Sequence, residues 1–218
     1  MSEDAGQPKQ DDPGAFRTLA GTGTSETKVE GSRFLGMARP VASEAAAQEQ
    51  VAQVRSEHHD ARHVCYGLRV GLGAARIDRS NDDGEPARTG GFPIWQLLST
   101  EEIENALVIV VRYFGGTKLG MGGLKRAYRD AAKAAVESAG TTLHHPVTTL
   151  DLSVSYEHYD ALERLIEGLE VAQITDRQFA ADIDVELTIW SSKLTDIKRR
   201  LGDLLGRHPA DLGSGEGP

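Results

Sequence analysis

Two short segments of the chain concentrate residue types that could bind a ligand or carry out chemistry. The first, residues 80–91, begins Ser-Asn-Asp-Asp-Gly-Glu-Pro and holds three carboxylates within four residues. Carboxylates at this density could bind a divalent cation, but the spacing is not that of an EF-hand loop. We favour a structural role, in which the Asp side chains accept hydrogen bonds from turn amides and Glu85 pairs with a nearby arginine such as Arg88. No metal is therefore expected. The candidate residues of this motif loop are Ser80, Asp82, Asp83, Gly84, Glu85, Pro86 and Arg88.

The second segment, residues 112–126, is rich in glycine and follows an apolar run. Glycine-rich backbone amides at the start of a helix can bind an anion. The segment is not a Walker A loop, because Met121 stands where that motif requires lysine. Alternatively, the glycines serve only a tight turn and the cations only solubility, and the sequence leaves both interpretations open. The candidate anion-binding residues are Gly115, Gly116, Lys118, Gly120, Gly122, Gly123, Lys125 and Arg126.

The distribution of charge bears on whether a nucleic acid is a partner. The whole chain has 24 basic and 33 acidic residues and a net charge of −9, which argues against nucleic acid. Residues 105–135, however, carry six basic residues and only one acid, Asp130. Lys125, Arg129 and Lys133 recur every four residues, so a helix would present them on one face. The candidate surface for RNA or a protein partner adds Arg112, Tyr113, Phe114, Arg129 and Lys133 to these cations.

Several classes of function are disfavoured. A single cysteine, Cys65, excludes a disulfide scaffold, and its position on a strand predicts a buried, inert thiol. No Ser–His–Asp order, H-E-x-x-H motif or pair of catalytic carboxylates emerges, so we expect no catalytic residues and no cofactor. The longest apolar run, Ala106–Val111, is too short to span a membrane, and the first residues lack a signal-peptide pattern. We therefore expect a cytoplasmic protein without a membrane partner.

Hydrophobic periodicity predicts the elements that position these segments. Ser43 should cap a helix, and His63–Val70 should form a strand. Arg76–Gly91 should be a loop, and Leu107–Val111 a central strand buried on both faces. Further predictions are a short helix over Pro93–Leu98, a turn over Gly115–Gly123 and a long helix over Leu124–Ala139.

The pattern restarts near Gly140–Pro146 and reads β-α-β-β-α to the end of the last helix, so we expect two domains joined near His144–Pro146. The predicted organisation is a disordered tail over 1–24, an N-terminal domain over 25–143, a small domain over 147–207 and a flexible tail over 208–218. The fold class is α+β.

The two segments together closely resemble a known family. RSNDDGEPARTGGFPI followed by ALVIVVRYFGGTKLGMGGLKRAYRDAA is similar to the core of the IMPACT/YigZ family, and the resemblance covers about residues 26–207. It implies an N-terminal domain like the second domain of ribosomal protein S five, with a left-handed βαβ crossover. It also implies a C-terminal ferredoxin-like domain of the YigZ type. Eukaryotic members of the family regulate translation.

The resemblance and the basic segment together predict a non-enzymatic, translation-associated regulatory factor. Its partner would be RNA, the ribosome or a translation-control protein bound through the basic, glycine-led helix. The alternative is a protein or enzyme that binds a small phosphate-bearing ligand or nucleotide, with the Gly115–Gly123 turn as its anion site.

Overall fold

The computed structural model describes residues 12–212, and they divide into two compact units. The larger unit is Phe16–His144, and the smaller combines residues 12–15 with 145–212. The described residues form an α+β architecture with five α-helices and three sheets.

The larger unit is built on a five-stranded antiparallel sheet. The elements of this unit are β1 (Phe16–Leu19), β2 (Gly23–Val29), β3 (Ser32–Pro40), α1 (Glu44–Glu57), β4 (His63–Val70), β5 (Ile77–Asn81), α2 (Gly91–Thr100), β6 (Ala106–Tyr113), α3 (Gly120–Ala139) and β7 (Thr141–His144). The strand order is β2-β3-β6-β4-β5, so β6 is the central strand. Its side chains alternate between the two faces of the sheet, with Leu107 and Ile109 in one core and Val108 and Val110 in the other. The prediction of a central strand buried on both faces is confirmed.

Helices cover both faces of this sheet. Helix α1 covers one face, and the side chain of Ser43 caps it by accepting a hydrogen bond from the Ala46 amide, as predicted. Helices α2 and α3 cover the other face. The predicted apolar side of α3 is confirmed, because Leu124, Tyr128 and Ala131 are all buried.

Small residues bring α3 close to the sheet. A Cβ atom at Gly36 on β3 would lie 2.5 Å from the carbonyl oxygen of Ala131, so only glycine fits there. The same carbonyl accepts a hydrogen bond from the Ser25 hydroxyl on β2, with 2.7 Å between the oxygens. These contacts fix the position of the helix that carries the basic residues.

Strands β3 and β4 both run antiparallel to β6 and are therefore parallel to each other, joined through α1. The resemblance implies that this β3–α1–β4 crossover is left-handed, and that handedness stays a prediction.

The smaller unit contains the βαββα pattern that the sequence predicts. Its elements are β8 (Val147–Val154), α4 (Tyr156–Glu167), β9 (Ala172–Phe179), β10 (Ile183–Trp190) and α5 (Leu194–Leu205). The sheet order is β8-β10-β9, with β10 antiparallel to both neighbours. One face of this sheet packs against the apolar sides of α4 and α5.

Three predictions about irregular segments need correction. The expectation of a disordered tail over 1–24 is wrong for Phe16–Leu19, which pairs with Thr141–His144, and for Gly23 and Thr24, which begin β2. Residues 1–11 lie outside the described part of the chain. The loop expected over Arg76–Gly91 contains strand β5, which pairs with β4. The tail expected over 208–218 includes a short 3-10 helix, Pro209–Asp211, and the buried Leu212, while residues 213–218 are not described.

Candidate functional site

The carboxylates of the motif loop are used to hold the loop itself. Asp82 accepts three backbone hydrogen bonds: its Oδ1 takes the amides of Gly90 and Gly91, and its Oδ2 takes that of Arg88. Gly91 is the first residue of α2, so Asp82 joins the loop to the start of that helix. The prediction that an aspartate of this motif serves turn amides is confirmed.

Asp83 is also committed to contacts within the protein. Its Oδ2 accepts the amide of Val64 at 2.7 Å and pairs with the guanidinium of Arg55. Its carbonyl oxygen lies 2.7 Å from Nδ1 of His63, which must therefore carry the proton. Among residues 12–212, no group of three or more His, Cys, Asp or Glu side chains is placed to hold a metal ion.

Glu85 forms a buried ion pair with Arg112. Both residues are less than a tenth exposed, and the Arg112 Nη1 donates to the Glu85 Oε1 at 2.6 Å. The hydroxyl of Tyr128 donates to the same oxygen at 2.9 Å. Glu85 therefore pairs with an arginine, as predicted, but with Arg112 of β6 and not with Arg88, which lies over the ring of Phe92.

Arg112 is consequently not part of an exposed basic surface, and the prediction that placed it there is wrong. Strand alternation points its side chain to the α3 side of the sheet, beside Phe34 and His63 on the neighbouring strands. Its Nη atoms reach Glu85 and the Ser32 hydroxyl, while its Nε is buried without a hydrogen-bond partner in the described chain.

Burial keeps the hydroxyl of Tyr128 and the thiol of Cys65, which lie in the same core, in their neutral forms. It raises the pKa of the Tyr128 hydroxyl strongly, and the neighbouring Cys65 and Glu85 raise that pKa further. Burial also raises the pKa of the Cys65 thiol, whose sulfur lies 3.1 Å from the carbonyl oxygen of Asp82. Cys65 is a buried, unreactive thiol, as the sequence predicts.

The glycines of the second segment have distinct roles. A Cβ atom at Gly115 would overlap the backbone of Gly31, so this glycine allows the β2–β3 turn to pack closely. Gly116 and Gly120 have φ angles of +92° and +70°, which favour glycine. Gly120, Gly122 and Gly123 lie in the first turn of α3 and not in a preceding loop, so the expected turn ends at residue 119.

The two motifs meet at a cleft of about 430 Å³, which we call the loop–turn cleft. The motif loop contributes Gly84, Glu85 and Pro86 to its walls, and the turn contributes Lys118 and Leu119. Gly120, the first residue of α3, also lines the cleft. The remaining lining residues are Arg62, His63, Arg112, Phe114, Met121 and Leu124.

The four cations of α3 line a separate groove of about 450 Å³, which we call the basic groove. Lys125 and Arg126, which the sequence groups with Lys118 as an anion site, belong to this groove and not to the cleft. The lining residues are Phe92, Pro93 and Gln96 of α2 with Gly122, Lys125, Arg126, Arg129, Asp130 and Lys133 of α3.

The two aromatic residues after the central strand also separate. Tyr113 packs with the α1 side of the sheet, opposite α3, and its hydroxyl contacts His58 and Asp60. It therefore does not share a surface with the basic residues of α3, contrary to the sequence prediction. Phe114 is 42% exposed and lines the loop–turn cleft.

Sequence reasoning places Ser80 in the motif loop, but it lies on β5 opposite Gly67. It also misses Arg62, His63 and Tyr128 as neighbours of the cleft. Strand alternation gives a signal for His63, because His63 and the buried Cys65 lie on the same face of β4 and His63 pairs across strands with Arg112.

No helix within the described part of the chain is long and apolar enough to cross a membrane.

Comparison with known proteins places this site in a family context. Residues 30–136 match the Impact N-terminal domain. The chain is 31% identical over 178 residues to the IMPACT family member YigZ of Escherichia coli (strain K12), covering 81% of this chain and 86% of YigZ. It is 32% identical over 149 residues to the IMPACT family member YvyE of Bacillus subtilis (strain 168), covering 68% of each. A solved structure described as that of an hypothetical protein matches with 28% identity and a TM-score of 0.62, over 93% of this chain and 95% of the other.

Proposed function

Since the chain belongs to the IMPACT family, we propose that it is a non-enzymatic regulatory factor of translation that binds RNA through the basic groove. Membership of this family supports the role in translation. The groove supplies the observation that supports RNA as the direct partner.

Four exposed cations line the basic groove, Lys125, Arg126, Arg129 and Lys133, with Asp130 as the one carboxylate among its lining residues. Only Lys133 forms an ion pair with a described residue, an exposed contact of 3.6 Å to Glu137. The interval from Lys125 to Lys133 spans about 12 Å along the helix at 1.5 Å per residue. Cations held in a row on a rigid helix are suited to successive phosphates of a nucleic-acid strand.

The groove also has an apolar side. Phe92 and Pro93 of α2 form one wall beside the cations. Half-buried Phe92 is held under the guanidinium of Arg88, whose carbon lies 3.7 Å from the ring centroid. Aromatic and guanidinium surfaces next to a basic row are typical of sites that bind single-stranded RNA.

The test is association with ribosomes and with a labelled RNA of about 20 nucleotides at low salt. We expect Lys125→Glu combined with Arg129→Glu to abolish both, because the change places two negative charges in the groove. Thermal melts should show an unchanged fold, since both side chains are exposed.

A matched control carries Arg17→Glu and Lys28→Glu, which change the net charge equally. Lys28 lies on the face of β2 opposite Ser25, the residue that contacts α3. This control should retain binding. Unchanged binding by the groove variant would overturn the proposal, and ribosome binding without RNA binding would indicate a protein partner instead.

A further inference from the structure

We propose that the loop–turn cleft binds a nucleoside phosphate, with the phosphate held by Lys118, Arg62 and the start of α3 and the base lying against Phe114 and Met121. This site is separate from the basic groove, and the proposal does not depend on the function of that groove.

The charge of the cleft favours an anion. Its lining includes three cationic side chains, those of Arg62, Arg112 and Lys118, and one carboxylate, that of Glu85. The Glu85 Oε1 already accepts hydrogen bonds from Arg112 and Tyr128. Lys118 is exposed and forms no ion pair with any residue between 12 and 212, so its charge is available to a ligand.

Arg112 provides a second, independent indication of a ligand. Its side chain is only 6% exposed, and its Nε lacks a hydrogen-bond partner among the described residues although it is buried. A buried donor without a partner is uncommon and costly. Arg112 also lines the cleft, so an anion bound there would lie close to its guanidinium.

The start of α3 adds donors of the same kind. No described side chain caps the helix, and its first turn contains no acidic residue. The first amides of a helix have no partner within the helix, and they carry the positive end of its dipole. The residues of this first turn, from Gly120, include Gly122 and Gly123, so little side-chain bulk separates the amides from a bound phosphate.

The remaining surface is apolar, which favours a nucleotide over a bare inorganic anion. Phe114 and Met121 are 42% and 57% exposed, and Leu119 and Leu124 extend the same surface. The guanidinium carbon of Arg62 lies 5.7 Å from the centroid of the Phe114 ring. The cleft volume of about 430 Å³ is within the range of small-molecule sites, about 300–1,000 Å³.

The same chemistry could come from a free nucleotide or from the phosphorylated end of an RNA strand. Calorimetric titration of the full chain with adenosine monophosphate, adenosine and inorganic phosphate tests the first source. A pair of short RNAs, with and without a 5′-phosphate, tests the second.

We expect adenosine monophosphate, or the 5′-phosphorylated RNA, to bind at least tenfold more tightly than the matching compound without phosphate. Lys118→Glu should weaken this binding at least tenfold, and Phe114→Ala should weaken it several-fold. The groove variant, Lys125→Glu with Arg129→Glu, should retain the binding of adenosine monophosphate.

Failure of this proposal and failure of the RNA proposal are distinguishable. RNA binding that is lost only in the groove variant, together with no binding of adenosine monophosphate at millimolar concentration and no effect of the 5′-phosphate on RNA binding, would overturn the cleft proposal alone. Equal binding of the phosphorylated probes by the native protein and by Lys118→Glu would also overturn it. If inorganic phosphate binds as tightly as adenosine monophosphate, the part of the proposal in which the base lies against Phe114 and Met121 is overturned.

Discussion

Replacing Glu85 with glutamine should destabilise the larger unit strongly, although it changes few atoms. The Glu85 carboxylate is buried and accepts hydrogen bonds from Arg112 at 2.6 Å and Tyr128 at 2.9 Å. Glutamine keeps the size of the side chain but removes the negative charge. The guanidinium of Arg112, only 6% exposed, would then remain in the core without a counter-ion.

The size of the effect follows from this burial. Removing one partner of a buried ion pair costs about 3–5 kcal/mol, because the other charge is left uncompensated. That is a large part of the roughly 5–15 kcal/mol by which a domain is stable. An exposed pair gives a matched control: Glu137 contacts Lys133 at 3.6 Å, and both side chains are more than half exposed. Glu137→Gln should change the free energy of unfolding by less than about 1 kcal/mol.

Urea unfolding followed by tryptophan fluorescence measures the free energy of unfolding of the larger structural unit, which contains Glu85. The chain has two tryptophans, Trp95 on α2 of the larger unit and Trp190 on β10 of the smaller. In a Trp190→Phe background, the fluorescence therefore reports only the unit that contains Glu85.

A double-mutant cycle separates the charge from the packing. Glu85→Gln with Arg112→Met should be destabilised by less than the sum of the two single variants, because the double variant leaves no uncompensated charge. A loss below about 1 kcal/mol for Glu85→Gln, similar to that for Glu137→Gln, would refute the reasoning.

Three further predictions concern single residues. Ser43→Ala should lower stability by about 1 kcal/mol in urea melts, because it removes the cap of α1; an unchanged midpoint would contradict this. Cys65 should react with a thiol reagent at pH 8 only after unfolding, because burial raises its pKa, so rapid labelling of the native protein would be inconsistent with the structure. Burial by itself raises the pKa of Asp12, but hydrogen bonds from Ser192 and His145 outweigh this effect and hold the pKa below its ordinary value. Asp12 therefore contributes stability above about pH 3.9, its unfolded-state pKa, and this contribution is lost as the pH falls through the lower folded-state value. In a Trp95→Phe background, where the fluorescence reports Trp190 alone, Asp12→Asn should reduce the stability of the smaller unit at pH 7 and not in strong acid; a pH-independent difference would oppose this.

Local patterns predict the regular elements well. The run Leu107–Val111 indicates a strand buried on both faces, and β6 has this form, because unbroken apolar side chains need a cover on each side. The apolar spacing of Leu124, Tyr128 and Ala131 predicts the side of α3 that meets the sheet. The βαββα pattern of the smaller unit is predictable for the same reason.

Contacts between distant parts of the chain are not predictable in this way. Arg112 appears in the sequence as one more cation of a basic segment, but its burial depends on Glu85, which is 27 residues earlier. Phe16–Leu19 is too short to show a periodicity of its own, and its strand pairing is with Thr141–His144, a segment far away in the sequence. The spacing of the cations likewise predicts a single basic surface. In the structure, however, Lys118 lines the loop–turn cleft and Lys125 lines the basic groove.

The salt dependence of RNA binding tests the central claim most directly. If the four cations of the basic groove contact phosphates of a single strand, the logarithm of the affinity should fall against the logarithm of salt concentration with a slope of about −2.8. Lys125→Gln with Arg129→Gln should make that slope shallower by about 1.4 units, whereas the Arg17→Glu and Lys28→Glu control should leave it unchanged. A slope that is near zero, or equal in the native protein and the groove variant, would contradict the account.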